Sequence, residues 1–592
     1  MKKKYVRWTL WTIASPFILF IILCILIYLP PIQNFLVDKA AVYASEATGM
    51  NISVGRISLS FPLNLVVTNV DAASPHNDTL LSVRRLQVNV QLLPLLKKQV
   101  EVDGISLQGA TVNSNDLIHG MKLNGTLGEL FISSHGVALD PETAIVNKVL
   151  LKDTDLSLCL NDTAAADTAA SDTAYWKIIL QDIDLQNVSF ALDMPLDSLS
   201  LAASLDNAIL RDGLIDLHKS AYSLQTFRIE NGRVRYDNGK PLAADSLSSG
   251  LDPSHIALTD IGVKLDSLYY GGRNMKAIIS QFVLKERSGV EIVSATGRMV
   301  SNDKVLRVPS LKLETRDSYL ELNAAMDWNA LDFKGEGLMS ARLMADIGKP
   351  DVVRFMGRMD EKFVRQYPSE PLRIRTGIDG DLNKLKLTTL TAELPGALGL
   401  FARGELTHLT DSLLRGGDIT LEAETKDLKF VSTLAEGIEI PYGTRLEGKF
   451  TMAGTKMGTD LLLMQPEAQA VAAADTIPIT VYNDSISVAD DFKMERAARL
   501  FAKYDLSRDR YEADLAVNHF DLHQFMPADS LYTLSTRLKV EGEGFDFFSP
   551  RTYFNAEGGI DRFHYGSYHL TGISLAAGLE KSKVHASLAV KN

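Results

Sequence analysis

The sequence predicts a mainly β protein that is preceded by a single N-terminal transmembrane helix. Three observations lead to this fold class. The N-terminus carries a basic flank and a long apolar run, many later segments alternate apolar and polar side chains with a period of two, and few segments have helical periodicity. At 592 residues the chain is too long for one hydrophobic core, so we expect several units or one elongated array.

The N-terminal segment is predicted to be an uncleaved membrane anchor. Lys2, Lys3, Lys4 and Arg7 precede an uncharged stretch, 8–34, which is long enough to cross roughly 30 Å of hydrocarbon as a helix. A cleavable signal peptide is the alternative, but its apolar region is usually only about 7–15 residues long. The basic flank should stay in the cytoplasm, which places the bulk of the chain beyond the membrane. The anchor residues are Trp8, Phe17, Ile18, Leu19, Phe20, Ile21, Leu23, Leu26 and Leu29.

Beyond a short helix predicted for 35–49, the period-two alternation predicts strands with one buried and one wet face. Parallel βαβ architecture is disfavoured, because helical stretches are few and the strands are not continuously apolar. The candidate residues of the apolar face are Leu86, Val88, Val90, Leu311, Leu313, Leu320, Leu322, Ile419, Leu421, Leu538 and Val540.

Only two later segments are predicted to be helical. One begins at Asp351 and stops before Pro368, and the other begins at Asp490 or Asp491 and runs through Phe501. The low-complexity segment 161–174 is predicted to be an exposed loop.

A loose repeat occupies the second half of the chain. The dipeptides at 346–347, 427–428 and 521–522 each follow a predicted strand, and each is followed by a related strand that ends in glycine, at 372–382, 444–455 and 536–545. The last residues stop inside a strand pattern, so we expect the chain to be incomplete at its C-terminus. The predicted regions are 1–34, 35–49, 50–160, 161–174, 175–340 and 341–592.

Composition and motifs favour a non-enzymatic protein without metal or cofactor. The net charge is −12, and no basic stripe interleaved with aromatic residues indicates a nucleic-acid partner. Two cysteines, Cys24 and Cys159, provide neither a disulfide framework nor a metal site. His519 and His523 share a spacing that a metal would accept, but a third ligand is missing from the pattern, so polar residues near a turn are the favoured interpretation.

The segments TGMNISVGRISLSFPLNLVVTNVDA (48–72) and VEVDGISLQGATVN (100–113) resemble the start of AsmA-like proteins, and of the TamB family in particular. The units 427–455 and 521–545 resemble the middle region of that family. The resemblance implies a long, taco-like antiparallel β-groove with an apolar lining, anchored in the inner membrane and exposed to the periplasm. It also implies phospholipid as cargo, a role in outer-membrane biogenesis, and a BamA-like barrel protein of the outer membrane as a partner. The family's C-terminal domain is not discernible in this sequence.

A second resemblance concerns modification of the exposed loop. Three Asp-Thr-Ala triplets, centred on Thr163, Thr168 and Thr173, are similar to acceptors of periplasmic O-glycosylation. Turn formation explains Asp-Thr pairs equally well, so both interpretations stay open.

Three functions remain as hypotheses. The first is a lipid-binding or lipid-conducting bridge, the second is an assembly factor that templates outer-membrane β-barrel proteins or autotransporters on exposed strand edges, and the third is a β-rich hydrolase. Periodicity does not separate an open groove from closed β-sandwiches. An apolar row that continues across successive units would favour lipid, an unpaired strand edge with a bound partner would favour assembly, and a pocket where two carboxylates converge would favour an enzyme.

Overall fold

A computed structural model describes most of the chain beyond the predicted anchor, and the chain divides into two compact units, 1–293 and 294–592. The described residues are 39, 41–42, 45, 50–60, 64–74, 79–90, 102–114, 120–138, 142–161, 176–239, 250–331, 337–357, 359–434, 437–466, 480–482, 485–487, 494–546, 548–549, 551–581 and 583–590. Both units are mainly β, as predicted.

The predicted anchor, 8–34, lies outside the described residues. Of the predicted helix 35–49, the structure describes Lys39, Ala41, Val42 and Ser45, all of which are helical. Across the described part of the chain, no helix combines the length and the apolar character that a membrane span requires.

The described part of the first unit consists almost entirely of strands. Its strands are β1 (Asn51–Ser60), β2 (Asn64–Ala73), β3 (Thr79–Val90), β4 (Val102–Asn113), β5 (Met121–Ala138), β6 (Thr143–Leu160), β7 (Lys177–Met194), β8 (Leu199–Asp216), β9 (Ala221–Leu224), β10 (Thr226–Asp237), β11 (His255–Gly271) and β12 (Asn274–Glu286). Strands β1 to β8 pair in chain order, and β9 and β10 lie end to end between β8 and β11. A short 3-10 helix, Pro195–Asp197, precedes β8.

One strand pair departs from the predicted antiparallel arrangement. Strands β6 and β7 pair in parallel, with Thr143 opposite Lys177 and Cys159 opposite Asp193. The other described pairs of this unit are antiparallel. Antiparallel neighbours need only a tight turn, whereas parallel neighbours need a connection that returns along the strand. The prediction of a uniformly antiparallel sheet is therefore wrong at this pair, because alternation reports the buried face of a strand and not its direction.

A line of irregular positions crosses the sheet of the first unit at one level, and we call it the crease. At the crease each strand has two adjacent polar or glycine residues, where strict alternation of apolar and polar residues allows only one. The register between neighbouring strands is the same before and after the crease. Its positions in β1 to β8 and β10 are Gly55, Asn69, Arg84, Gly109, Gly128, Asp153, Asn187, Asp206 and Asn231.

Left-handed backbone explains the residue types at the crease. Asn69, Gly109, Asp153, Asn187 and Asn231 have φ between 50° and 62°. Glycine adopts this region without steric cost, and Asn and Asp are the other residues that tolerate it. Side chains along the crease also bond across strands: Asn187 Nδ2 donates to Asp153 Oδ1 at 2.9 Å. Each strand therefore carries its own residue that tolerates left-handed backbone, and the pairing of the strands places these residues at one level.

The crease gives a test of the backbone argument. We expect Asn187→Val to destabilise the region around β6–β8 by about 1–2 kcal/mol, because a β-branched residue is strained at positive φ. Asn187→Gly is the matched control, since it removes the same bond to Asp153 but relieves the strain. Amide hydrogen exchange of peptides from 177–216 measures the difference, and equal protection in the two variants would contradict the argument.

The second unit has the same strand-and-turn organisation. Strand β13 (Glu291–Ser301) spans the division between the units. It is followed by β14 (Val305–Thr315), β15 (Tyr319–Asp327), β16 (Met339–Ile347), β17 (Leu372–Gly380), β18 (Lys384–Leu394), β19 (Leu398–Thr407), β20 (Gly416–Thr425), β21 (Arg445–Ala453), β22 (Lys456–Pro466), β23 (Thr480–Tyr482), β24 (Ser485–Ser487), β25 (Met494–Asp505), β26 (Arg510–Asp521), β27 (Leu531–Glu543), β28 (Tyr553–Tyr565), β29 (Tyr568–Glu580) and β30 (Lys583–Val590).

From β14 onward these strands pair antiparallel in chain order, except that β22 pairs with β25 and the hairpin β23–β24 forms a separate two-stranded sheet. In the predicted repeat, the connections that follow 346–347, 427–428 and 521–522 lie at one end of the sheet and contain short helices. They carry α1 (Lys349–Met356) with α2 (Glu361–Gln366), and the 3-10 helices Lys429–Thr433 and Leu522–Gln524. A further 3-10 helix, Trp328–Leu331, follows β15.

The helix predicted from Asp351 is present but is divided in two. It starts earlier, at Lys349, with Pro350 in the first turn, where a missing N–H is tolerated. Gly357, at φ 75°, ends α1, and the Asp360 side chain caps α2 by accepting from the Lys362 N–H at 2.6 Å. The break follows from glycine in a non-helical conformation.

The helix predicted from Asp490 or Asp491 through Phe501 is wrong where the structure describes this segment, because Met494–Asp505 is strand β25. A β-bulge explains the error. Leu463 pairs with Ala498 but Met464 pairs with Arg496, which leaves Ala497 as the extra residue. An extra residue turns a spacing of two into a spacing of three, and this imitates helical periodicity in the sequence.

Candidate functional site

The apolar face of the second unit is built from rows of residues that stand directly opposite one another in successive strands. One row takes one residue from every strand from β14 to β22 and from β25 to β30, and it contains no charged residue. Its members are Leu313, Leu320, Ala345, Ile374, Ala392, Leu400, Ala423, Leu446, Leu463, Ala498, Val517, Thr536, Ile560, Ile573 and Val590.

The neighbouring rows on the same face are also uncharged. The first consists of Leu311, Leu322, Leu343, Thr376, Leu390, Ala402, Leu421, Gly448, Leu461, Leu500, Leu515, Leu538, Gly558, Leu575 and Leu588. The next consists of Val308, Ala324, Ala341, Ile378, Leu387, Gly404, Ile419, Phe450, Thr459, Ala502, Ala513, Val540, Ala556, Ala577 and Ala586. Together the three rows place the candidates Leu311, Leu313, Leu320, Leu322, Ile419, Leu421, Leu538 and Val540 on one face.

The first unit has equivalent rows on both sides of its crease. On one side they run through Ile57, Val67, Leu86, Leu107, Leu130, Leu151, Leu185, Ala208, Ile229, Val263 and Phe282, and through Leu65, Val88, Ile105, Ile132, Val149, Ile183, Leu210, Phe227, Leu265 and Ile279. The candidates Leu86 and Val88 therefore belong to continuous rows. The backbone of Val90 pairs with Val102, but its side chain is outside the described part.

The opposite face of the second unit is polar and carries cross-strand ion pairs. Arg342 lies 2.6 Å from Asp379, Arg375 lies 2.7 Å from Asp346, and Lys384 lies 3.2 Å from Glu405. These side chains are partly or fully exposed, so each pair contributes little to stability. Charge is confined to one side of the sheet, and the rows on the other side are left without it.

Burial distinguishes this sheet from one half of a filled sandwich. Leu313, Leu421, Leu461 and Leu538 are half-buried, as are most members of the three rows. Inner side chains of two packed sheets interdigitate and become fully buried. Most described side chains of the three rows therefore retain accessible surface, and the exceptions are small residues such as Ala345 and Ala402, which are buried.

Among the described residues, the largest fully buried side chains lie where the helices meet one end of the strands. Phe363 of α2 is completely buried. Its ring centroid lies 5.6 Å from that of Tyr367 and 5.6 Å from that of Phe430, with the second pair edge to face. Burial raises the pKa of the Tyr367 hydroxyl. Leu394 and Leu428 complete this cluster, which covers the ends of β18–β20.

A buried carboxylate fastens α1 to the same end of the sheet. Asp351 is 1% exposed and accepts hydrogen bonds from Thr315 Oγ1 and from Ser318 Oγ, the latter at 2.6 Å. Arg354 neutralises it at 3.0 Å. Because every strong partner of this carboxylate comes from the β14–β15 turn or from α1 itself, the helix is held against that turn.

The histidines do not assemble a metal site within the described residues, where no group of His, Cys, Asp and Glu side chains has the required arrangement. The His519 ring lies 2.9 Å from Asn518 Oδ1, whereas the His523 ring packs against Tyr532 in a tilted arrangement, with 4.9 Å between ring centroids. His564 and His569 stand opposite each other in β28 and β29 and stack at 4.1 Å, as expected for a strand pair.

The predicted glycan acceptors and the predicted anchor residues lie outside the part of the chain that the structure describes. The acceptor threonines Thr163, Thr168 and Thr173 lie in 162–175, outside the described residues, as do the anchor residues.

Sequence reasoning missed most of the row members, because it accepted only segments with strict alternation. In the first unit the crease shifts the alternation by one residue, as in Leu65, Val67, Val70 and Ala72 of β2. The usable signal is apolar residues at i, i+2, i+5 and i+7, with Asn, Asp or Gly in the gap. The same spacing returns in β7, and β6 has it with Thr154 at the i+5 position.

No protein-family description matches the sequence, and no curated protein matches it either.

The aromatic cluster is expected to dominate the stability of the helix-bearing end. Phe363→Ala should destabilise the second unit by about 3–5 kcal/mol, because it leaves a cavity among Tyr367, Phe430 and Leu394. Phe355→Ala on α1, whose side chain is 56% exposed, is the control and should change stability by less than about 0.5 kcal/mol. Chemical denaturation followed by tryptophan and tyrosine fluorescence tests this, and equal effects would contradict the assigned packing.

Glu424 lies on the polar face but is buried, unlike the exposed charged residues there, and we therefore expect its ionisation to make stability depend on pH. It is buried, and Arg445 lies 3.4 Å away. Burial raises the pKa of Glu424 above its ordinary value of 4.5, although Arg445 opposes the shift. A raised folded-state pKa contributes stability below the unfolded value, and that contribution is lost as pH rises through the folded value.

We therefore expect Glu424→Gln to become progressively more stable relative to the natural chain as pH rises above about 4.5. Thermal unfolding at several pH values measures this. Glu422→Gln, two residues earlier on β20, is the matched control for the loss of a carboxylate from the same face of the same strand. A constant difference for Glu424→Gln across pH would contradict the burial argument.

Proposed function

We propose that this protein is an inner-membrane-anchored periplasmic β-groove protein that binds and conducts phospholipid between the inner and outer membranes. The observation that supports the proposal most strongly is the set of uncharged rows, which cross every strand from β14 to β22 and from β25 to β30. Such continuity was the feature expected of a lipid carrier.

The acyl chains set the free-energy cost of moving a lipid along the sheet. Each methylene exposed to water costs about 0.8 kcal/mol, so a lipid crossing an interrupted surface would meet a barrier at each polar position. Uncharged rows remove those barriers along the strand-to-strand direction. The half-buried side chains, such as Leu461 and Leu538, leave accessible apolar surface for such contact.

The crease supports a curled sheet in the first unit. Two polar residues side by side lengthen the polar side of each strand, so the strand bends towards its apolar side, and bulge-like irregularities increase bend and twist. Because Asn69, Asp153 and Asn187 stand in one line, the bends add in the same direction. The proposal of an apolar groove with a polar exterior rests on this geometry and on the resemblance to the AsmA-like and TamB families.

The anchor, the periplasmic location, a role in outer-membrane biogenesis and a BamA-like barrel partner belong to the same proposal. They rest on the N-terminal sequence pattern and on that resemblance.

Photo-crosslinking in intact cells tests the proposal. A benzophenone amino acid at Leu421 or Leu538 should form adducts with phospholipid, whereas the same residue at Glu422 or Lys539, on the polar face of the same strands, should not. Mass spectrometry of the purified adducts identifies the captured molecule. Capture of protein at both faces and of lipid at neither would favour the assembly-factor alternative.

A second test addresses conduction. Leu421→Asp and Leu538→Asp should abolish lipid transfer while the chain remains folded and anchored, because a desolvated carboxylate interrupts the apolar rows. Lys539→Asp on the polar face is the control, and transfer of radiolabelled phospholipid between membranes is the measurement. Normal transfer in the leucine variants would refute a lipid path along these rows.

A further inference from the structure

The two ends of the strands in the second unit differ in character. One end, the helix margin, carries α1, α2 and the buried aromatic cluster. The other end, which we call the turn margin, carries the connections after β15, β17, β19, β21, β25 and β27, and successive turns are joined by backbone hydrogen bonds such as Gly454 N to Arg415 O and Leu506 N to Thr455 O. Large apolar side chains are exposed along it, namely Leu338, Leu413, Leu414, Met457, Leu506, Phe545 and Phe548.

A cleft of about 610 Å³ opens at the turn margin between β21, β22, β25 and β26. Its walls come from both faces of the sheet. Lys449 and Lys503 belong to the polar face, whereas Met457, Tyr504 and Tyr511 belong to the apolar row nearest the margin. That row also contains Leu306, Met326, Met339, Leu385, Leu406, Met452, Phe554 and Leu579.

Basic residues dominate the charge of this cleft, although the chain as a whole is acidic. Within the described residues, no carboxylate oxygen lies within 4 Å of the charged atoms of the basic residues that line it. They are Lys449, Lys456, Lys503, Arg508 and Arg510.

The acidic residues of the cleft are largely committed to other partners. Asp460 forms a two-bond ion pair with Arg499, at 2.6 and 2.8 Å. Asp505 accepts from Ser507 Oγ at 2.7 Å, from the Ser507 N–H at 3.0 Å and from Thr455 Oγ1 at 2.8 Å, and these hydrogen bonds lower its pKa to about 2. The Asp505 bonds also fasten the β25–β26 turn to the β21–β22 turn, which keeps the cleft walls together.

We propose that this cleft binds the phosphate of an anionic phospholipid whose acyl chains pass over the turn margin onto the apolar face. The inference rests on the proposed function and adds a headgroup class and a point of entry. Cations on the polar side attract a phosphate, and each basic residue near a charged lipid headgroup adds appreciably to affinity. Exposed Met457 and the rings of Tyr504, Tyr511 and Phe545 provide apolar surface for the adjoining chain.

The alternative occupant of a basic cleft is an acidic peptide. The apolar side chains beside the cations favour the lipid, because a hydrophilic acidic peptide would leave Met457 and Phe545 exposed.

The test compares lipid selection by the full-length chain in mixed micelles of a zwitterionic detergent with equal phosphatidylglycerol and phosphatidylcholine. The test variant is Lys449→Ala, Lys503→Ala, Arg508→Ala. The matched control is Lys312→Ala, Arg537→Ala, Lys539→Ala, which removes the same number of exposed basic residues from the polar face outside the cleft. Mass spectrometry of the retained lipid gives both the selectivity ratio and the total amount.

The natural chain should prefer phosphatidylglycerol, and the test variant should lose this preference by about tenfold while total lipid is retained. Raising the salt concentration should weaken the preference of the natural chain, because exposed charges are screened. The control variant should behave as the natural chain does.

Other outcomes overturn the inference in distinguishable ways. An unchanged ratio in the test variant, with lipid still bound, would remove the headgroup site and leave the proposed function standing. Absence of lipid from the natural chain would remove the proposed function and this inference with it. A benzophenone at Met457 that captures protein and not lipid would assign the cleft to a protein partner.

Discussion

The backbone ladder between neighbouring strands is the constraint on which the rest of this structure depends. Antiparallel hydrogen bonding places residues directly opposite one another, and a slip of one residue would move every side chain to the other face. The alternation within each strand makes one face apolar, but only a common register converts separate faces into continuous rows. The row from Leu313 to Val590 exists because each successive pairing keeps the same phase.

At irregular positions the alternation of apolar and polar side chains shifts by one residue, and the apolar rows still continue across the strands. At the crease the alternation shifts by one residue in neighbouring strands at the same level, so the apolar face continues on both sides. The bulge at Ala497 does the same in one strand, since Ala498 and Leu500 remain in the rows on one side of it. Deviations from regular β geometry are therefore placed where they preserve the chemical separation of the two faces.

The helix margin and the turn margin of the second unit differ in how far their side chains are buried. At the helix margin, Phe363 and Asp351 are fully buried, and this end is closed by packing and by satisfied polar groups. At the turn margin, the connections leave apolar side chains accessible, and the cations of the cleft have no carboxylate partner among the described residues. The strands themselves are similar at both ends, so the difference arises from the length and content of the connections between them.

The sequence alone was sufficient for the β class, for the apolar character of positions such as Leu313, Leu421 and Leu538, and for the helix near Asp351, because each depends on local periodicity. It was insufficient for the parallel pairing of β6 with β7, for the strand at Met494–Asp505 and for the cleft beside Lys449, because these depend on which distant segments pair. Alternation reveals which side of a strand is apolar. The hydrogen-bonded partner, its direction and its register arise from contacts between residues far apart in the chain, and these decide whether apolar positions join into one surface.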